Sequence, residues 1–193
     1  MFLSAEYWNN RYKENEFGWD TGSITEPLKT YFDQLENKNI SILIPGAGNS
    51  YEAEYLFNKG FKNVTVVDFA QEPLTNIKNR VPDFPVNNLV KDDFFNHKGQ
   101  YDLIVEQTFF CAIDPKLRAE YAKHMHSLLK PGGKLVGLLF DTVFEKEGPP
   151  FGGNKEEFRT YFDSYFTYKT FAPCYNSIAP RAGRELFIHL IKK

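Results

Sequence analysis

Four groups of residues have the types and spacing to handle a nucleotide-like ligand. The first is Gly46–Ala47–Gly48 within SILIPGAGNS, where an apolar run meets a Gly-X-Gly turn and a polar helix start. Glycines at such a turn bring bare backbone up to a ligand; the plainer reading is that they only turn the chain. The second is Asp68, which ends VTVVD 20 residues past Gly48. A carboxylate at that spacing can accept hydrogen bonds from both hydroxyls of a ribose. The third is Lys91–Asp92–Asp93–Phe94. An aspartate there can accept from an adenine amino group while the next backbone N–H meets a ring nitrogen, although a turn-capping aspartate explains the same residues. The fourth is Glu106–Gln107, at the end of a later strand, where the reacting end of such a ligand would lie; a solvated loop edge is the alternative.

The ligand narrows by elimination. A dinucleotide fingerprint needs a third glycine for close helix–strand packing and pyrophosphate approach. Position 51 is Tyr instead. No Gly-Lys-Ser/Thr follows the turn, so a phosphate-cradling loop is absent as well. A nucleoside without phosphates remains, and S-adenosylmethionine is the common one.

The elements that must position these groups alternate. Thr25 can cap a helix that carries Pro27 in its first turn and runs to about Leu35. The spacing predicts strands over 40–44, 64–68, 86–90, 102–105 and 134–140, with helices over 50–59 and 71–79 between the first of them. Asp114–Pro115 is expected to open a long helix with Leu117, Tyr121, Met125 and Leu128 at helical spacing, stopped by Lys130–Pro131–Gly132–Gly133. A helix near 155–163 and two late strands, about 165–171 and 185–191, complete the chain. Strands alternating with helices imply an α/β fold on a mostly parallel sheet.

The bulk numbers fit one soluble domain. The chain has 193 residues, 42% hydrophobic, 25% charged and 17% aromatic, with a formal net charge of −2. No run of like charge marks a nucleic-acid footprint. No stretch approaches the roughly 18 apolar residues of a membrane span. The N-terminus turns polar too early for a signal peptide. Cys111 and Cys174 are far apart, form no metal-spaced pair and point to a reduced, cytoplasmic setting. No metal site is expected, and oligomeric state is not legible.

With those residues in place, the chain resembles the thiopurine S-methyltransferase-like family of class I S-adenosylmethionine-dependent methyltransferases, and within it the halide/thiol methyltransferase branch. The resemblance covers nearly the whole chain. It is carried by YWNNRY with GWDTG, IPGAGNSYEAEYL, VVDFAQEPL, FFCAIDPKLRAEYAKHMHSLLKPGGKLVGLLF and the later GPPF. It implies a Rossmann-like, seven-stranded, mostly parallel sheet with an antiparallel last strand, in a single domain over 1–193. It implies an N-terminal lid, about 1–24, with Trp8, Tyr12 and Trp19 over the cofactor. Gly46 would lie against the methionine moiety, Asp68 against the ribose, and Asp93 and Phe94 against the adenine. Ala47, Gly48, Phe69, Glu106 and Gln107 complete the expected cofactor site. Branch members often carry Tyr or Arg at the position of Gln107, so this departure leaves acceptor preference open.

Methyl transfer from a sulfonium is an in-line displacement that needs alignment and exclusion of water. The sequence has no Ser-His-Asp or Cys-His set. An anionic acceptor such as a halide, thiocyanate or thiolate needs no strong base. Trp19, Phe109, Phe110 and Phe151 are expected to build a dry acceptor pocket, with Arg181 at its mouth drawing in an anion. Ordinary core packing is the alternative for each ring. Cys111 is expected to be buried and inert. Asp20 is the candidate proton acceptor for a neutral thiol. The Pro-Pro-aromatic motif of amino-group methyltransferases ends the fourth strand, whereas GPPF at 148–151 follows the fifth, so amino-nitrogen methylation is disfavoured. Aromatic thiols are the rival acceptor class, and a non-catalytic cofactor-binding module is the rival outside enzymes.

Overall fold

The computed structural model describes residues 3–193; Met1 and Phe2, the start of the expected lid, lie outside the described residues. The strands β1 (Ile42–Pro45), β2 (Val64–Asp68), β3 (Leu89–Lys91), β4 (Tyr101–Gln107), β5 (Leu129–Phe140), β6 (Phe166–Pro173) and β7 (Glu185–Lys192) form a seven-stranded sheet in the order β3-β2-β1-β4-β5-β7-β6. The chain divides into two compact units, 1–97 and 98–193.

The first unit opens with α1 (Ala5–Lys13), capped by the Ser4 hydroxyl on Tyr7 N–H at 3.1 Å. α2 (Glu26–Asp33) follows, then β1 (Ile42–Pro45), α3 (Tyr51–Asn58), β2 (Val64–Asp68), α4 (Gln71–Arg80) and the short β3 (Leu89–Lys91). β1, β2 and β3 pair in parallel. β1 is buried along its whole length, which is why its sequence reads as an unbroken apolar run. Thr25 stands at the N-cap of α2 but makes no side-chain capping bond, and the helix stops two residues short of Leu35. The expected strand over 86–90 is a 3-10 turn followed by β3, because Pro85 fixes the backbone ahead of it.

The second unit holds β4 (Tyr101–Gln107), α5 (Arg118–Leu128), β5 (Leu129–Phe140), α6 (Lys155–Phe162), β6 (Phe166–Pro173) and β7 (Glu185–Lys192). β4 and β5 are parallel; β7 runs antiparallel to both β5 and β6. Lys130–Pro131–Gly132–Gly133 does not separate helix from strand as expected. β5 starts at Leu129, and the cluster loops out where the pairing jumps from Tyr101↔Leu129 to Leu103↔Lys134. Asp114 caps a 3-10 turn over Pro115–Leu117 rather than the helix itself. That tighter turn shifts the helical phase. Leu117 is 37% exposed, and Arg118 takes the buried register with Tyr121, Met125 and Leu128. β6 is the outer strand, and its register against β7 slips between Tyr168 and Thr170, at exposed Lys169.

Candidate functional site

In the first unit, the turn after β1 carries left-handed backbone at Gly46 (φ 55°), Gly48 (φ 52°) and Ser50 (φ 60°). Glycine supplies the first two without steric cost. At Gly48 there is a second reason. An added Cβ would lie 3.1 Å from Tyr12 Oη, so a side chain would press on the residues above it. Ala47 lies between the glycines, half-buried.

Asp68 ends β2 and is buried. The backbone N–H groups of Ala70, at 2.9 Å, and Gly48 donate to its carboxylate. Burial outweighs those donors and pushes its pKa up to about 7. Phe69 follows, half-buried. Asp93 is exposed, and its Oδ1 accepts from Phe95 N–H at 3.0 Å, which makes it the cap of a 3-10 turn; Phe94 beside it is buried.

Trp8, Tyr12 and Trp19 come together. Trp19 stands edge-on to Trp8 and to Tyr12, with ring centroids 5.5 and 5.8 Å apart. Its indole N–H donates to Tyr12 Oη. Burial and the nearby Asp68 hold the Tyr12 hydroxyl well above the usual phenol range, so it stays protonated. Arg11 lies over Trp19, 5.3 Å from the ring centroid. Asp20 is a fastener. Its carboxylate accepts from Gly22 N–H at 2.6 Å, from Tyr51 Oη at 3.2 Å and from the Asn49 carboxamide. Asn49 Oδ1 in turn accepts from Asn76 at 2.8 Å, and the Arg80 guanidinium reaches the Asn49 carbonyl. Tyr51, standing where a dinucleotide site has glycine, ties this aromatic group to α3 through Asp20.

In the second unit, Glu106 and Gln107 end β4 and differ sharply. Glu106 is fully buried. Its Oε1 accepts from Phe109 N–H at 2.7 Å and Phe110 N–H at 2.9 Å, and its Oε2 from Tyr121 Oη. Burial pushes its pKa up to about 7 against those donors. Glu106, expected to touch the cofactor, instead uses its oxygens to shape the turn that follows β4. Gln107 is half-buried, and its Oε1 is enclosed with no hydrogen-bond partner. Thr108 next to it is left-handed at φ 57°, a strained position for a β-branched residue.

Phe109 is half-buried, whereas Phe110 is a core ring packed on Tyr121, Phe158 and Phe162. Phe110, expected on a pocket surface, therefore supports that turn from behind. Phe151 is half-buried, and its N–H donates to the Cys111 carbonyl at 2.7 Å. Cys111 is buried and its thiol is pushed up to about 12, chiefly by burial. Arg181 is buried rather than at a mouth, 3.4 Å from Glu185 and facing the Phe140 ring.

Arg118 has no counterpart in the sequence reading. Its guanidinium is fully buried over the rings of Phe110 and Phe158. It binds Glu157 at 2.9 Å and the carbonyls of Phe151 and Gly152 at 3.2 and 2.8 Å. The available signal was register: position 118 falls on the stripe 118-121-125-128, whose other members are apolar or aromatic. Among the described residues, no cluster of His, Cys, Asp or Glu is arranged to hold a metal ion. No helix among the described residues is long and apolar enough to cross a membrane.

An α/β sheet with a glycine turn after β1 and a buried carboxylate ending β2 is the framework of a Rossmann-like methyltransferase. The solved structure of 1,6-didemethyltoxoflavin-N1-methyltransferase from Burkholderia thailandensis, with S-adenosylhomocysteine bound, has the same fold. It matches with a TM-score of 0.77 at 16% identity, over 99% of this chain and 88% of that one. The family model for thiopurine S-methyltransferase matches residues 3–185. The chain belongs to the thiopurine S-methyltransferase family, whose members are S-adenosylmethionine-dependent methyltransferases. Thiocyanate methyltransferase 1 of Brassica oleracea is 28% identical, covering 92% of this chain and 81% of its own. A thiopurine S-methyltransferase of Vibrio cholerae is also 28% identical, covering 81% and 80%.

The residues present fit S-adenosylmethionine. At Gly48 only bare backbone fits, since a Cβ would lie 3.1 Å from Tyr12 Oη. Asp68 is a buried carboxylate that accepts from the amide N–H groups of Ala70 and Gly48, and a carboxylate has further lone pairs for hydroxyls. Gln107 Oε1 is an enclosed acceptor awaiting a donor.

Proposed function

We propose that this enzyme methylates a small anionic nucleophile, a thiolate, another sulfur anion or a halide. The observation that carries the reading is the state of the ionisable groups around the turn after β4. Glu106 is saturated by Phe109, Phe110 and Tyr121. The Cys111 thiol is held protonated by burial. Arg118 and Arg181 are each paired with a glutamate. None of these groups is placed to take a proton from an acceptor, which supports an acceptor that arrives already ionised. Asp20, the earlier candidate base, has its carboxylate committed to Gly22, Asn49 and Tyr51.

Bound S-adenosylmethionine supplies an activated methyl on a sulfonium. Asp68 would accept from the ribose hydroxyls, the Gly46–Ala47–Gly48 backbone would admit the methionine moiety, and Asp93 and Phe94 would border the adenine. Trp8, Tyr12 and Trp19 would cover the cofactor and exclude water. Phe109 and Phe151 would give the acceptor an apolar wall, which strips hydration from an anion and raises its reactivity. An aromatic face near a sulfonium adds about 0.5–2 kcal/mol of attraction. Residues 1–193 act as a single methyltransferase domain on a small molecule rather than nucleic acid, in keeping with a net charge of −2. Two free, buried cysteines suit a cytoplasmic setting.

The test is release of S-adenosylhomocysteine by purified enzyme supplied separately with iodide, thiocyanate, hydrosulfide or a thiophenol. Turnover with the small anions is expected. Turnover with the thiophenol alone would move the assignment to aromatic thiols, and cofactor binding without turnover on any acceptor would make the chain a binding module.

A further inference from the structure

Helix α4 begins without a cap of its own. Its N-cap residue is Ala70, whose side chain offers no oxygen. The first amides of a helix need acceptors from elsewhere. Asn9, on α1, provides one. Its Oδ1 accepts from Gln71 N–H at 2.9 Å and from Glu72 N–H at 3.0 Å. The amide just before them, Ala70 N–H, donates to Asp68 Oδ1 at 2.9 Å. Consecutive amides of one turn are thus shared between the buried carboxylate and α1.

No residue of α1 is fully buried; Trp8 and Tyr12 are half-buried against Trp19. The polar attachment of α1 to α4 is Asn9 and, one turn on, Lys13, whose Nζ lies 3.8 Å from Glu72. Residues 9 and 13 form one stripe of α1 and residues 8 and 12 the adjacent one. Fixing the first stripe on α4 fixes the rotation of the second. The second stripe is Trp8 and Tyr12, and Tyr12 Oη stands 3.1 Å from where a Cβ on Gly48 would be.

We propose that Asn9 is a positioning residue for cofactor binding: by capping α4 from another helix, it sets α1 at the rotation that holds Trp8 and Tyr12 over the Gly46–Gly48 turn. The proposal rests on the reading of the N-terminal segment as a lid over the cofactor.

The test compares wild type, Asn9→Ala, Asn9→Asp and Trp19→Ala, with S-adenosylhomocysteine affinity by calorimetry, steady-state kinetics and amide exchange at residues 71 and 72. Losing a cap of this kind is expected to weaken S-adenosylhomocysteine about fivefold in Asn9→Ala. The KM for S-adenosylmethionine should rise in step while kcat at saturation holds. The amides of Gln71 and Glu72 should exchange faster. Asn9→Asp keeps the acceptor and adds charge at a helix N-terminus, so it should restore wild-type affinity. An unchanged affinity in Asn9→Ala, or an equal loss in Asn9→Asp, overturns the proposal. Trp19→Ala separates the two ideas. If it weakens binding while Asn9→Ala does not, the lid stands and the role of Asn9 falls; if Trp19→Ala is silent, the lid reading itself fails.

Discussion

The turn after β1 and the turn after β4 hold their shapes by different physics. The first is polar and open-handed. Glycine backbone, Asp68 and a chain of side-chain bonds through Asp20, Asn49, Asn76 and Arg80 leave hydrogen-bonding capacity unspent. The second is packed from behind by Phe110, Tyr121, Phe158 and Phe162, with Glu106 and Arg118 buried and hydrogen-bonded within it. Substitutions in the first turn should therefore read out in ligand affinity, and those in the second in fold stability.

Substitutions should expose that asymmetry. The largest effect is expected from Asp68→Ala, which removes a charged acceptor for two hydroxyls and should weaken S-adenosylhomocysteine by about 100-fold. Its melting temperature should hold or rise, because burying that carboxylate costs stability. Arg118→Met should do the reverse. It strands the Phe151 and Gly152 carbonyls and should cost about 3 kcal/mol of stability, or about 6–12 °C in Tm. Cofactor affinity should stay within about twofold, a change under 0.5 kcal/mol. A large loss of affinity in Arg118→Met, or of Tm in Asp68→Ala, would erase the distinction.

The pH dependence follows from the raised pKa of Asp68, about 7 when folded against an ordinary 3.8. Between those values the folded state holds more protons than the unfolded, so stability declines as pH rises from about 4 to about 7. Cofactor affinity runs the other way, since the ionised carboxylate is the better acceptor. Calorimetry from about pH 5.5 to 8.5 should show affinity climbing about tenfold and then levelling, and Asp68→Asn should flatten the curve. A flat wild-type curve would contradict the assignment of Asp68.

The smallest effect is expected at Phe109, beside the core ring Phe110. Phe110→Ala should cost about 3–5 kcal/mol of stability as a core deletion. Phe109→Ala should barely move Tm and should change the acceptor KM a few-fold, within the about 1–3 kcal/mol that pocket shape commands. Equal behaviour of the two would mean that Phe109 is core as well.

This contrast also explains what was legible in the sequence. β2 was readable to its ends, and the Gly46–Gly48 turn with Asp68 followed from spacing, because backbone conformation and strand termini leave local marks. Phe109 and Phe110 are identical by type, and only the packing of α5 and α6 tells them apart. Arg118 falls on the stripe of Tyr121, Met125 and Leu128, but its charge reads as surface, and only its partners Glu157, Phe151 and Gly152, over 30 positions later, make it a buried residue. Asn9 sits in YWNNRY as an unremarkable polar residue. Its role depends on Ala70, 61 positions later, having no oxygen to cap α4. Long-range complementarity of that kind has no local signature.

The register slip in β6 bears on how copies of this enzyme meet. An outer strand with a regular row of free N–H and C=O groups is a template for adding another strand. At Lys169 that row is broken, and a charged side chain stands at the break. A second chain aligning along β6 would lose its ladder halfway and meet an ammonium. The β6 edge is therefore a poor template for a second chain's strand, and the sheet ends there.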